Sequence, residues 1–161
     1  SDEKVTTDGK KTVLYAPMKG KILPLSQAKD EAFSQGLLGN GIVIEPDEGR
    51  IYSPADGLVS VLFPTLHAIG IQTDTGAELL IHIGLNTVEL NGQGFKAHIK
   101  QGDRIKKGDL MIEADLNFIK EKNLCTQTPV IVTNTEDMGD FIFSEATDVE
   151  PGDEIMTVYS A

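Results

Sequence analysis

The sequence predicts an all-β fold, an antiparallel sandwich or distorted barrel with one or two short helical turns, and two observations predict it. Sixteen glycines and seven prolines punctuate short runs rich in Val, Ile, Thr and Leu, at intervals of about ten residues, which is the spacing of short strands joined by turns. Helical periodicity is confined to two places. One turn runs from Asp115, an N-cap residue type, through Leu116 and Ile119 to about Glu121, and another lies near Asp30 to Gln35.

Two internal echoes fit a pseudo-repeated β architecture. Ala16-Pro17-Met18-Lys19-Gly20-Lys21-Ile22 parallels Ser53-Pro54-Ala55-Asp56-Gly57-Leu58-Val59, each a turn that launches a strand. Ile105-Lys106-Lys107-Gly108-Asp109-Leu110-Met111 parallels Val149-Glu150-Pro151-Gly152-Asp153-Glu154-Ile155-Met156, where the glycine supplies the positive φ of a tight turn.

Composition bounds the function classes. At 161 residues and 40% apolar content the chain is expected to form one domain over residues 12–161, with polar residues 1–11 as a flexible tail or linker. Its net charge of -11, with 25 acidic against 14 basic residues, argues against a nucleic-acid partner and favours a basic one. The single Cys125 cannot form an internal disulfide, and no apolar run reaches the roughly 20 residues of a membrane span. A cytoplasmic setting is therefore expected. Cys125 itself reads as a partly buried, inert thiol, and His98 as a surface residue without an obvious partner.

The informative stretch is Phe63 to Gly84, which reads as a hairpin turning at Asp74-Thr75-Gly76. An even loop centred between Asp74 and Thr75 pairs His67 with His82, their Cβ atoms about 5 Å apart on one face. A three-residue loop sends the two rings to opposite faces. Adjacent imidazoles resist being charged together, so at least one is expected to be neutral near pH 7. A neutral ring nitrogen is a nucleophile, and a neighbouring N–H can hold the oxygens of a phosphoryl group under attack. In that arrangement His82 accepts, His67 stabilises, and the hydroxyl of Thr65 orients His67 through its other ring nitrogen. Two imidazoles are also zinc ligands, but no Cys-x-x-Cys or third spaced histidine completes a structural site, so no cofactor is expected beyond zinc shared at a partner interface.

Ala16-Pro17 with Gly20, Gly39-Asn40-Gly41, Ser53-Pro54 with Gly57, Thr65-Leu66-His67-Ala68, Glu78-Leu79-Leu80-Ile81-His82-Ile83-Gly84, Thr87-Val88-Glu89-Leu90, and Gly92 with Gly94-Phe95 follow one another in an order and spacing that resemble the glucose-type enzyme IIA family of the bacterial sugar phosphotransferase system. The resemblance covers nearly the whole chain from about Val13. It implies a β-sandwich-like phosphotransferase domain that takes a phosphoryl group from a histidine-containing phosphocarrier protein and passes it to the cysteine of an enzyme IIB domain. By position it assigns His82 as the phosphorylated residue, His67 and Thr65 as its supporting pair, and Asp30, Phe33, Leu37, Leu38, Phe63, Leu80, Asn86 and Val88 as partner-binding. It further implies binding to transporters or metabolic enzymes according to phosphorylation state. Asn86 and Asn40 stand where the family often has Asp, and Glu31-Ala32 where an apolar pair is usual. A biotinyl- or lipoyl-type carrier module is the alternative raised by Met18-Lys19-Gly20 and the Gly-Asp turns, but it leaves the two histidines unexplained.

Overall fold

The computed structural model describes residues 10–161, and the tail expected over residues 1–11 lies outside that range except for its last two positions. The first strand already begins at Lys11, which pairs with Tyr159. In chain order the strands are β1 (Lys11–Tyr15), β2 (Gly20–Pro24), β3 (Asn40–Pro46), β4 (Arg50–Tyr52), β5 (Gly57–Leu62), β6 (Ala68–Thr73) and β7 (Glu78–His82). They continue with β8 (Phe95–Ala97), β9 (Arg104–Ile105), β10 (Leu110–Ala114), β11 (Thr128–Val132), β12 (Met138–Phe143), β13 (Asp148–Val149) and β14 (Glu154–Ser160). Two short α-helices, α1 (Glu31–Ser34) and α2 (Leu116–Glu121), fall where the sequence places them. Each starts at an aspartate whose carboxylate accepts from the third backbone N–H onward, Asp30 from Phe33 and Asp115 from Phe118.

Every strand pairing is antiparallel. An eight-stranded sheet runs β13-β2-β3-β11-β7-β6-β5-β9, and two three-stranded sheets run β1-β14-β12 and β4-β10-β8. Among the described residues the large sheet ends at β13 and β9 without closing on itself, so of the two expected forms the open sandwich-like one is observed. The predicted turn echoes are present: Gly20 and Gly57 each open a strand, β2 and β5. The Gly-Asp turn occurs three times rather than twice. Asp103, Asp109 and Asp153 each accept from the backbone N–H three residues earlier, that of Lys100, Lys106 and Glu150, with Gly102, Gly108 and Gly152 at φ between 91 and 94°.

The strict alternation of β-strands divides the apolar residues between two cores. Ile42 and Ile44 of β3, Leu79 and Ile81 of β7, and Val130 and Val132 of β11 face the main core with Leu14, Met18, Ile51, Ile71, Met111 and Ile112. Val43 and Ile131, the residues between them, point the other way and join Leu25, Ala28, Phe33 and Leu85 in a second buried cluster, flanked by Leu80 and Cys125. That second cluster is the platform for the histidines. His82 follows Leu80 at the two-residue spacing of one sheet face, so the strand carrying Leu79 and Ile81 into the core delivers His82 to the opposite side.

Candidate active site

The hairpin between β6 and β7 reverses through three residues, not two: Thr73 N–H donates to the Ala77 carbonyl and Gly76 N–H to the Thr73 carbonyl. The register therefore places Ala68, not His67, opposite His82, and His67 opposite Ile83, to whose N–H its carbonyl is bonded at 2.7 Å. Of the two loops the turn residues allow, the three-residue one is therefore observed, and the direct pairing of His67 with His82 does not form. The two rings nevertheless meet, with centroids 4.9 Å apart at 81°. The rule that a one-residue shift reverses faces holds only along extended backbone, and His67 precedes β6. Leu66 just before it sits at φ 62°, a left-handed conformation costly for a branched side chain, and this bend turns the His67 ring toward His82.

Four rings form a ladder. Phe33 lies 5.2 Å from His82, His82 4.9 Å from His67, and His67 5.4 Å from Phe63, all tilted or edge-on as aromatic quadrupoles prefer. Phe33, expected on a docking rim, is only 4% exposed because it packs beneath the His82 ring in the second core. Leu37, Leu38 and Val88 are exposed, and Phe63 and Leu80 are half-buried. Asn86 is exposed at φ 61°, a conformation asparagine tolerates better than most residues. Asp30 is half-buried and occupied in capping α1.

Hydrogen bonds fix what each ring can do. His82 Nδ1 is 2.7 Å from the Gly84 carbonyl oxygen, which only accepts, so Nδ1 carries the proton and Nε2 keeps its lone pair. His67 Nδ1 is 2.7 Å from the Thr65 hydroxyl, the partner expected from the sequence. When that hydroxyl donates, His67 carries its proton on Nε2, as a donor for oxygens near His82. Burial lowers the His67 pKa from 6.5 to about 4, with repulsion from His82 adding to it. Burial also lowers that of His82, against the opposing pull of the Gly84 carbonyl and the Asp30 charge. Both rings are neutral at pH 7, a nucleophile beside a neutral donor.

The shift on His67 has a consequence for stability. Between pH 6.5 and about 4 the unfolded chain holds a proton on this residue that the folded chain does not, so stability falls as the pH drops through that window. The loss is on the order of 3 kcal/mol. Urea unfolding at pH 7 and pH 4.5 measures it, and His67→Gln is expected to flatten that part of the slope.

Gly84 is the residue whose role sequence reasoning did not reach, although it belongs to the quoted motif. Its φ is 75°, and a Cβ there would lie 2.6 Å from Thr87 Cγ2 and 2.9 Å from the Cys125 carbonyl oxygen. The Thr87 hydroxyl donates to the Ile83 carbonyl at 2.6 Å, and Leu85 N–H to the Cys125 carbonyl at 2.9 Å, so the loop bearing the Gly84 carbonyl is held from two sides. Gly84→Ala is expected to cost about 2 to 4 kcal/mol and, by displacing that carbonyl, to slow any reaction at His82 by about 100-fold. Melting curves and single-turnover kinetics on the same preparation check both numbers.

Other sequence-derived residues lie elsewhere. His98 has a partner after all, Glu113 Oε2 at 2.6 Å across the β8–β10 sheet, and this contact lowers the Glu113 pKa. Lys19 stands in the turn before β2, 3.9 Å from Glu150. Among the described residues no group of three or more His, Cys, Asp and Glu side chains could hold a metal ion, and no helix is long and apolar enough to cross a membrane. A cleft of about 560 Å³, walled by Ile22, Leu25, Ile42 and Phe143, contains neither histidine. The histidines instead stand on an open face of the large sheet, an arrangement suited to a reactant presented by another macromolecule.

Comparison with known proteins points to one family. Residues 12–138 match the family described as phosphoenolpyruvate-dependent sugar phosphotransferase system, EIIA 1. The chain is 50% identical over 94% of its length to a PTS system beta-glucoside-specific EIIBCA component of Halalkalibacterium halodurans, and 44% identical over 98% to one of Bacillus subtilis. It spans about a quarter of the length of these two relatives, 24% and 26%. A PTS system glucose-specific EIIA component of Halalkalibacterium halodurans is 43% identical over 88% of the chain and 82% of the relative. Among solved structures, glucose permease IIA from Mycoplasma capricolum superposes with a TM-score of 0.87 at 34% identity, covering 92% of this chain and 96% of that one.

Proposed function

Since this chain belongs to the EIIA 1 family of the phosphoenolpyruvate-dependent sugar phosphotransferase system, in which it is a phosphocarrier domain, we propose that the phosphoryl group it carries is bonded to Nε2 of His82. The observation that supports this best is the Gly84 carbonyl on His82 Nδ1, which leaves Nε2 as the nucleophilic atom. In-line attack by Nε2 forms the new phosphorus–nitrogen bond as the bond to the donor breaks, and Nδ1 keeps its proton on the Gly84 carbonyl throughout. His67 Nε2–H, oriented by Thr65, holds the phosphoryl oxygens during transfer.

The donor in this reading is a histidine-containing phosphocarrier protein, and the acceptor is the cysteine of an enzyme IIB domain. The two beta-glucoside-specific relatives, each an EIIBCA component, support an EIIB partner and a beta-glucoside transporter as the final user. Docking brings the exposed Leu37, Leu38 and Val88 and the half-buried Phe63 and Leu80 against the partner and shuts water out, so that the phosphohistidine transfers rather than hydrolyses. The acidic surface draws a basic partner, and the roughly two negative charges of the phosphoryl group then alter which surfaces can dock, the basis of a regulatory role. A zinc ion shared with a partner carboxylate would use the same Nε2 atoms, and so would compete with phosphorylation. The half-buried, unpaired Cys125 is consistent with work on the cytoplasmic side.

Incubation with phosphoenolpyruvate, the general phosphotransferase and the histidine phosphocarrier tests the reading. One acid-labile phosphoryl per chain, absent when the phosphocarrier is omitted, is the expected result. A folded protein that stays unmodified under those conditions contradicts it.

A further inference from the structure

Gln127 precedes β11, is 2% exposed, and is used by nothing in the reaction as described. Both polar atoms of its side chain are engaged, by one segment and one neighbour. Oε1 accepts from Lys29 N–H at 2.8 Å, while Nε2 lies 3.4 Å from both the Gln27 carbonyl and Glu45 Oε2. The clamped residues are the last link before α1. Ala28 packs in the second core, Asp30 caps α1, and Phe33 supports the His82 ring at 5.2 Å.

We propose that Gln127 is a positioning residue for the phosphoryl acceptor, fixing the Gln27–Lys29 segment so that Asp30 starts α1 and Phe33 presents its ring to His82. The inference rests on His82 being the acceptor. Lys29 directly precedes Asp30, the cap of a four-residue helix too short to hold its own place, so a buried side-chain clamp on the Lys29 N–H fixes the segment from which that helix starts. A displacement of a few tenths of an ångström at Phe33 is passed directly to the imidazole it touches. No local pattern signals this clamp, since Gln127 stands about a hundred positions from the residues it holds.

Gln127→Ala tests it beside Ile112→Val, a destabilised control whose change lies in the main core. Ring nitrogen and carbon shifts of His82, read on the unphosphorylated proteins, are expected to move in Gln127→Ala and stay in place in the control. The rate of phosphoryl acceptance is expected to fall roughly three- to tenfold, with the control within twofold of wild type. Unmoved His82 shifts in a folded Gln127→Ala protein overturn the proposal, as do equal shifts in the control. The shift measurement needs no phosphoryl donor, so a failure of wild type to accept phosphate is recognised separately as a failure of the acceptor assignment.

Discussion

His82→Ala is expected to abolish phosphoryl acceptance while leaving the fold intact. The substitution removes the only ring nitrogen in the pair whose lone pair is left free by a carbonyl on the other nitrogen. His67 does not replace it, because it is nearly fully buried and its Nδ1 is bonded to Thr65. Stability should change little, because the half-buried ring contributes mainly its edge contacts with Phe33 and His67. Intact mass after incubation with the complete donor system, alongside a melting curve, reads both. A phosphoryl group appearing on the alanine variant would move the acceptor elsewhere.

The second large effect belongs to onward transfer. His67→Gln keeps a neutral N–H donor in about the same place, so the variant is expected to accept a phosphoryl group at a rate within a few-fold of wild type. As the P–N bond breaks and the P–S bond forms, charge on the three non-bridging phosphoryl oxygens and on the His82 ring changes, and an amide cannot alter its protonation to follow it. Transfer to an enzyme IIB domain should therefore fall by about 100-fold. Rapid-quench measurements of the two half-reactions separate the effects. Equal losses in both directions would make His67 a packing residue between Phe63 and His82 instead.

Much of this site was legible in the sequence because its carriers are local. The two histidines and Thr65 fall within one hairpin, and the aspartates that start α1 and α2 announce themselves by residue type and position. The all-β class follows from turn spacing alone. What the sequence hid depends on backbone geometry. The choice between a two- and a three-residue reversal at Asp74-Thr75-Gly76 is not written in those residue types, and the bend at Leu66, a residue with no preference for positive φ, rescues the contact that the observed register would otherwise forbid. Phe33, which the resemblance implies is partner-binding, packs beneath the His82 ring, and a single aromatic on a four-residue helix has no periodicity to reveal which side is covered. The Gly84 carbonyl was missed for a related reason: a main-chain acceptor has no residue type by which to recognise it.

Under the proposed function, the same geometry would let one face serve successive partners. His82 sits at the end of a central strand, fixed below by a packed cluster and open above, so partners need only match the surrounding relief. Such a rigid platform keeps the acceptor in place between encounters, and the cost of ordering it is already met by folding rather than at each docking event.

The most direct test of the account is the atom that bears the phosphoryl group. Nitrogen-15 spectra of the phosphorylated protein, labelled at histidine, distinguish the two ring nitrogens by their coupling to phosphorus. Coupling is expected at Nε2 of His82, with Nδ1 still protonated on the Gly84 carbonyl; coupling at Nδ1, or at either nitrogen of His67, would place the phosphoryl group on a different atom and overturn the assignment.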